Sequence, residues 1–215
     1  MAYHAVVKDL RYRLEAALAY LLYGLFRALP IDAASAIGGY VARLLGPLSS
    51  AQDTALQNLA LAFPDKTQRD RQTILSAVWD NTGRVMAEYA TLSRLREAEH
   101  DARIEIDGSQ YLDALRSSDR PALFFSGHIG NWETIPLALN KLVQPPSIVY
   151  RSPNNPYVHS LIRRARGKST ASQIPKGSSG AREMIQVLRK NGHIALLIDQ
   201  KMNTGLPIPF FGQDA

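Results

Sequence analysis

The sequence predicts an α/β fold in which a helical N-terminal region packs on a mostly parallel or mixed sheet with helices on both faces. Up to about residue 92 the apolar residues recur at helical spacing. From residue 122 onward, short apolar runs alternate with longer amphipathic stretches. Strands that alternate with helices favour a parallel sheet, and such sheets gather their reactive groups at the carboxyl ends of the strands.

Proline and glycine residues divide the chain into the expected elements. In the first half we expect helices at 31–48, capped by Asp32, at 52–63 and at 67–92. In the second half we expect strands at 103–107, 122–125, 147–150 and 193–198, and helices at 108–116, 132–142, 156–166 and 180–190.

An uninterrupted apolar run at residues 16–26 lies between Glu15 and Arg27. The run is shorter than the roughly 20 residues of a membrane-spanning helix, and no signal-peptide cleavage site follows it. Its tyrosines and flanking arginines suit a helix at a bilayer interface, but a buried core helix fits equally well. We expect a membrane-associated helix over residues 1–30 and an α/β domain over residues 31–215.

The composition excludes several classes of protein. The chain has 215 residues, of which 46% are hydrophobic and 20% charged, so it is long and apolar enough to build a core. It contains no cysteine, which excludes a disulfide scaffold, a thiolate zinc site and a thiol nucleophile. We expect neither a bound metal nor a cofactor.

The positive charge of the chain is concentrated in one segment. Residues 1–150 carry 15 basic and 16 acidic side chains, whereas residues 151–201 carry ten basic side chains against two acidic ones. This segment indicates an anionic partner, which could be nucleic acid, lipid phosphate or an acidic carrier protein. A solvated helix face is the alternative.

The segment SGHIGNWE contains the most informative pair of reactive side chains, His128 and Glu133. The same His-x4-acid spacing occurs at His4 and His100, but only His128 follows a strand directly and precedes a helix that Asn131 can cap. We expect Glu133, in the first helical turn, to accept the Nδ1 hydrogen of His128 and leave Nε2 free as a general base. A structural histidine is the alternative.

Several blocks in order resemble the bacterial lipid A late acyltransferases of the lauroyl and myristoyl type. These belong to the wider lysophospholipid acyltransferase superfamily, which is marked by an H-x4-D/E pair. The blocks are QNLALAFP at 57–64, SGHIGNWE at 126–133, VYRSPNNP at 149–156, IPKG at 174–177 and IDQ through PFFG at 198–212. The resemblance covers nearly the whole chain and implies a glycerol-3-phosphate acyltransferase-like fold.

The resemblance also implies a reaction, partners and site residues. It implies transfer of a fatty acyl chain from acyl carrier protein to a hydroxyl of a Kdo-bearing lipid A precursor, at the cytoplasmic face of the bacterial inner membrane. His128 would be the general base and Glu133 its orienting partner, and nucleic acid would not be a partner. The residues implied for substrate binding are Arg151, Arg164, Arg166, Lys176 and Asp199, with the choice between Arg164 and Arg166 open.

One departure from the family pattern affects these expectations. The family continues well past the PFFG block, whereas this chain stops at Ala215, so we expect it to be truncated at its C-terminus. Two other functions stay open. One is an acyltransferase with another acceptor, such as a phosphatidylinositol mannoside or a lysophospholipid. The other is a non-catalytic basic module that binds nucleic acid or an anionic membrane.

Overall fold

The computed structural model describes residues 2–97, 103–118, 120–200, 209–210 and 213–214. The helices in chain order are α1 (Ala2–Ala28), α2 (Ile31–Leu45), α3 (Ala51–Ala62), α4 (Gln68–Glu88), α5 (Leu92–Glu97), α6 (Asp113–Arg116), α7 (Ile135–Leu142), α8 (Pro156–Arg166) and α9 (Ser178–Arg189). The strands are β1 (Ala122–Ser126), β2 (Ser147–Tyr150), β3 (Gln173–Pro175), β4 (His193–Leu197), β5 (Pro209–Phe210) and β6 (Gln213–Asp214). Short 3-10 turns at Tyr89–Thr91 and Trp132–Thr134 lead into α5 and α7.

Helices α2 and α4 pack unusually closely, because both contribute a glycine at their contact. A Cβ atom added to Gly38 would lie 2.4 Å from the carbonyl oxygen of Gly83, and one added to Gly83 would lie 2.1 Å from that of Gly38. Only glycine fits at either position. Helix α4 is also capped at its start, where Thr67 and Asp70 form a capping box. The two helices therefore form a closely packed pair.

Helix α1 packs on the protein along one face, where Tyr12, Ala16 and Tyr23 lie, and exposes its leucine side chains. Ala16 is buried, and the opposite face carries exposed side chains at helical spacing. These exposed residues are Val7, Leu10, Leu14, Leu18, Leu21 and Leu25. At 100° per residue they fall within an arc of roughly 80°. Among the residues that the structure describes, this face of α1 is therefore not covered by a core.

The main sheet has four parallel strands in the order β1-β4-β2-β3. Its longest pairing joins β1 to β4, in a register that sets Ser126 opposite Leu197. Leu139 of α7 packs on the face formed by Ile148 and Ala195, while α9 covers the face of Ile174, which lies next to Gly180. The expected α/β class, with helices on both faces of a parallel sheet, is confirmed.

Some expected elements differ from the structure. Residues 103–107 form turns and irregular backbone rather than a strand. The strand predicted at 122–125 exists as β1. It lies at the edge of the sheet and exposes Leu123 and Phe125, so the prediction that this strand is buried is wrong. Strand β3 was not predicted, since three residues carry too little periodicity. Asp32 lies in the first turn of α2 rather than at its cap.

Candidate active site

His128 and Asp199 meet at the carboxyl ends of two neighbouring strands. The ring Nδ1 of His128 lies 2.7 Å from Oδ1 of Asp199. The backbone N–H of His128 donates to the other oxygen of the same carboxylate, also at 2.7 Å. One carboxylate therefore fixes both the backbone and the ring of the histidine.

The strand register explains this meeting. Ser126 and Leu197 are paired at the ends of β1 and β4, and His128 and Asp199 each follow two residues later. The hydrogen bond from the N–H of Ile198 to the carbonyl of Ser126 extends the pairing beyond the strands. Gly127, which lies between Ser126 and His128, leaves room for the carboxylate, since a Cβ there would lie 3.1 Å from Oδ2 of Asp199.

The hydrogen bonds of His128 define the tautomer of its ring. The side-chain amide nitrogen of Gln200 lies 3.1 Å from Nε2 of His128. Because the ionised carboxylate of Asp199 can only accept, the ring hydrogen is assigned to Nδ1, and Nε2 is left to accept from the amide of Gln200. The outer ring nitrogen thus keeps a lone pair that can take a proton.

The environment keeps Asp199 ionised. Partial burial by itself would raise the pKa of this carboxyl, but the backbone N–H and the ring of His128 outweigh it and hold the pKa below the ordinary value of 3.8. The ring of Trp132 lies edge-on to that of His128, with centroids 4.8 Å apart. An ionised partner on one side and an indole on the other therefore limit how the imidazole can turn.

Glu133 belongs to a second, buried cluster. Its carboxylate accepts two hydrogen bonds from Arg166, at 2.8 Å from Nε and 2.7 Å from Nη2, and a third from the hydroxyl of Tyr89. The side chains of Glu133 and Arg166 are only 4% and 12% exposed. The rings of Tyr89 and Tyr150 flank the guanidinium at 5.9 and 5.5 Å.

The charges of this cluster stabilise one another. Burial alone would lower the pKa of Arg166, but the hydrogen bonds and charge of Glu133 raise it above its usual value. Burial, and then the negative charge of Glu133, also raise the pKa of Tyr89 well above 10.0. The phenol therefore keeps its proton and donates a hydrogen bond to the carboxylate. The cluster joins the 3-10 turn after α4 and the 3-10 turn before α7 to the last residue of α8.

The expected hydrogen bond between His128 and Glu133 is therefore wrong. Asp199, seventy-one residues along the chain, occupies Nδ1, and Glu133 is bound to Arg166 instead. Of the two arginines left open by the sequence, Arg166 is the one that reaches the H-x4-E segment. The catalytic role of Glu133 and the substrate-binding roles of Arg166 and Asp199 stay predictions.

The other basic residues expected at the site are placed differently. Arg151 and Lys176 are exposed at the residues that follow β2 and β3, the same edge of the sheet that carries His128. Arg164 is also exposed and directs its guanidinium over the ring of Tyr20 in α1, 6.0 Å from the centroid. These three side chains form no part of either cluster described above.

A small cavity lies between the sheet and the segment that carries Trp132. It has a volume of about 60 Å³ and is lined mainly by apolar side chains, with Glu133 and Arg166 in its wall. The apolar lining includes Phe124, Ile135, Pro136 and Ile148. Its apolar lining suits a hydrocarbon group.

Two features concern metals and membranes. Across the described part of the chain, no group of three or more His, Cys, Asp or Glu side chains could hold a metal ion. Within the same residues, no helix combines the length and the apolar character needed to cross a membrane.

The fold and this site define an α/β protein with a His–Asp pair at the carboxyl ends of adjacent parallel strands. A family model described as bacterial lipid A biosynthesis acyltransferase matches residues 6–215. The chain belongs to this family.

Two curated relatives carry names that agree with the family. The chain is 22% identical over 144 residues to the lipid A biosynthesis myristoyltransferase of Escherichia coli (strain K12). It is equally similar to lipid A biosynthesis acyltransferase 1 of Shigella flexneri. Each alignment covers 66% of this chain and 43% of the relative, so the matched part spans less than half of either relative's length.

Sequence reasoning did not find several residues of the site. Tyr89 and Gln200 were not singled out, and Asp199 was identified only through the family resemblance. The available signal for Asp199 was its position directly after the apolar run 194–198, since the carboxyl ends of parallel strands lie at one end of a sheet.

Proposed function

We propose that this protein transfers a fatty acyl chain from acyl carrier protein to a hydroxyl of a Kdo-bearing lipid A precursor, with His128 as general base and Asp199 as its orienting partner. The main support is the geometry of the ring. Asp199 holds Nδ1 while Nε2 keeps its lone pair, and the His128 side chain is 29% exposed. A base held in this way suits activation of an alcohol.

The proposed reaction is a direct transfer. The acceptor hydroxyl replaces the amide of Gln200 at Nε2 of His128, and its proton passes to Nε2 as the oxygen attacks the thioester carbonyl. The new C–O bond forms, the C–S bond breaks, and the imidazolium returns the proton to the leaving sulfur. Asp199 stabilises the imidazolium throughout, because its carboxylate stays ionised.

In this proposal Glu133 acts through structure rather than as the partner of the base. Its buried bidentate pair with Arg166 fixes the start of the segment that leads into α7. The exposed Arg151, Arg164 and Lys176 would bind phosphate or carboxylate groups of the glycolipid, or the acidic carrier protein. No cofactor takes part in the proposed reaction.

We also propose that α1 lies on the surface of the bacterial inner membrane, at its cytoplasmic face. The support is the outward stripe of large apolar side chains on α1, which includes Leu14 at 64% and Leu21 at 60% exposed. Large exposed apolar surfaces mark contact sites. A helix of this kind binds in the plane of the interface, and a glycolipid acceptor would be presented there.

The reaction can be tested with purified protein, a labelled acyl carrier protein thioester and defined acceptors. Wild-type protein should acylate the Kdo-bearing lipid A precursor, and His128→Ala should lower the rate by about 10² to 10⁴. If the protein acylated only a lysophospholipid or a phosphatidylinositol mannoside, the proposed acceptor would be wrong. Equal rates for wild type and His128→Ala would overturn the mechanism.

A further inference from the structure

The segment that carries His128 is held from two sides. On one side Asp199 binds the backbone and the ring of the histidine. On the other side, side chains of helix α4 contact Gly130 and Asn131, two and three residues after His128. None of the atoms in this second set of contacts gives or receives the proton in the proposed transfer.

Two residues of α4 make these contacts. The amide of Asn81 donates to the carbonyl oxygen of Gly130 at 3.1 Å. The carboxylate of Glu88 accepts from the side-chain amide of Asn131 at 2.5 Å. Asn81 and Glu88 are seven residues apart, which places them on one face of the helix two turns from each other.

The loop residues that α4 holds determine the local backbone. Gly130 has a φ of 55°, in the left-handed region that favours glycine. The side-chain oxygen of Asn131 accepts from the N–H of Glu133 at 3.0 Å and so caps the turn that follows. Fixing these two residues therefore fixes the turn in which the backbone leaves His128.

Glu88 is itself fixed by the neighbouring helix. Its second oxygen accepts from the hydroxyl of Ser35 in α2 at 2.6 Å, and Arg84 donates to that same hydroxyl at 3.3 Å. Since α2 and α4 meet closely through Gly38 and Gly83, the carboxylate rests on the most tightly packed helix pair described above.

We propose that Asn81 and Glu88 are positioning residues, which set the location of His128 by holding Gly130 and Asn131. The proposal rests on the proposed function only for its predicted effect on the rate of acyl transfer. A displacement of the base by about 1 Å lowers the rate by roughly 10²-fold, so the anchors act on kcat while leaving substrate binding largely unchanged.

The kinetic test compares Glu88→Ala with Glu88→Gln. Alanine removes the acceptor of Asn131, and kcat should fall by about 10- to 100-fold with little change in KM. Glutamine keeps one oxygen for Asn131, and its amide can donate to Ser35, so kcat should return close to wild type. A Glu88→Gln variant as impaired as Glu88→Ala would overturn the positioning role, because it would show that the charge itself is needed.

A structural readout separates this inference from the proposed function. Amide hydrogen exchange of residues 127–133 should be at least about tenfold faster in Asn81→Ala than in wild type, because local opening becomes easier. The matched control is Gln52→Ala, which removes another contact of α4, the 2.8 Å bond from the indole of Trp79. It should leave exchange in 127–133 unchanged.

The outcomes are distinguishable. If the wild type transfers no acyl chain but Asn81→Ala and Glu88→Ala loosen residues 127–133, the proposed function fails and the anchoring holds. If the wild type is active and exchange in 127–133 is the same in all variants, the positioning role is overturned. Should Glu88→Ala not fold, Asn81→Ala carries the test, since the Asn81 contact is exposed.

Discussion

Replacing Asp199 with asparagine tests the base–partner assignment most sharply. The carboxylate now accepts two hydrogen bonds, both of 2.7 Å, from the backbone N–H and the ring of His128. Asparagine has one oxygen and one amide nitrogen, so it can accept only one of them. If its oxygen serves the backbone, its amide faces Nδ1 and forces the ring hydrogen onto Nε2.

The magnitude follows from this change of tautomer. With the hydrogen on Nε2, the ring can no longer accept a proton from the acceptor alcohol. A general base contributes about 10² to 10⁴ in rate, so we expect kcat to fall about 10³-fold, or ~4 kcal/mol in activation free energy. Because the pKa of Asp199 lies below 3.8, the loss should be similar from about pH 6 to about pH 9.

The assay measures initial acyl-transfer rates and thermal unfolding of the same preparations. Asp199 is 39% exposed, so Tm should change by no more than about 4 °C, the shift that 1 kcal/mol causes in a chain of this size. Asp53→Asn, an exposed aspartate in the first turn of α3, is the matched control and should retain full activity. A wild-type rate in Asp199→Asn would refute the assignment.

Three further predictions concern the buried charges and α1. Glu133→Gln breaks a buried bidentate pair with Arg166 and should lower the free energy of unfolding by about 3 kcal/mol; unchanged stability to urea would contradict the structural role. Burial holds the pKa of His193 below 6.5, so the unfolded chain binds more protons than the folded chain as pH falls through that value. The contribution of neutral His193 to the free energy of unfolding is therefore complete above about pH 6.5 and is lost as pH falls below it. His193→Gln should reduce the difference in unfolding free energy between about pH 7.5 and about pH 5, and an unchanged difference would contradict this. Replacing both Leu14 and Leu18, exposed on α1, with glutamate should abolish sedimentation with anionic vesicles, and undiminished binding would contradict the membrane contact.

Much of the fold could be predicted because it depends on local patterns. The run 194–198 is apolar throughout, and together with His193, which follows a glycine, it contains β4. The cap at Asn131 was also predictable, since its side chain accepts from Glu133 as a cap residue does. Residues 103–107 alternate like a strand but form none, because alternation alone provides no partner strand.

The site could be predicted only in part, because its pairing is tertiary. Sequence spacing favours a partner near His128 and so selected Glu133. The actual partner, Asp199, depends on β4 lying next to β1 rather than next to β3, which is a matter of strand order. Likewise, nothing local to Glu88 shows that it faces the loop, since that contact depends on how α4 packs beside the sheet.

The most direct test of the account is the protonation of the His128 ring, observed by ¹⁵N NMR near neutral pH. The His128→Ala spectrum identifies the signals among the five histidines of the chain. We expect the hydrogen on Nδ1 and an unprotonated Nε2 in the wild type, and the reverse in Asp199→Asn. A wild-type ring protonated on Nε2 alone, or one unaffected by the substitution, would contradict the claim that Asp199 prepares His128 to act as a base.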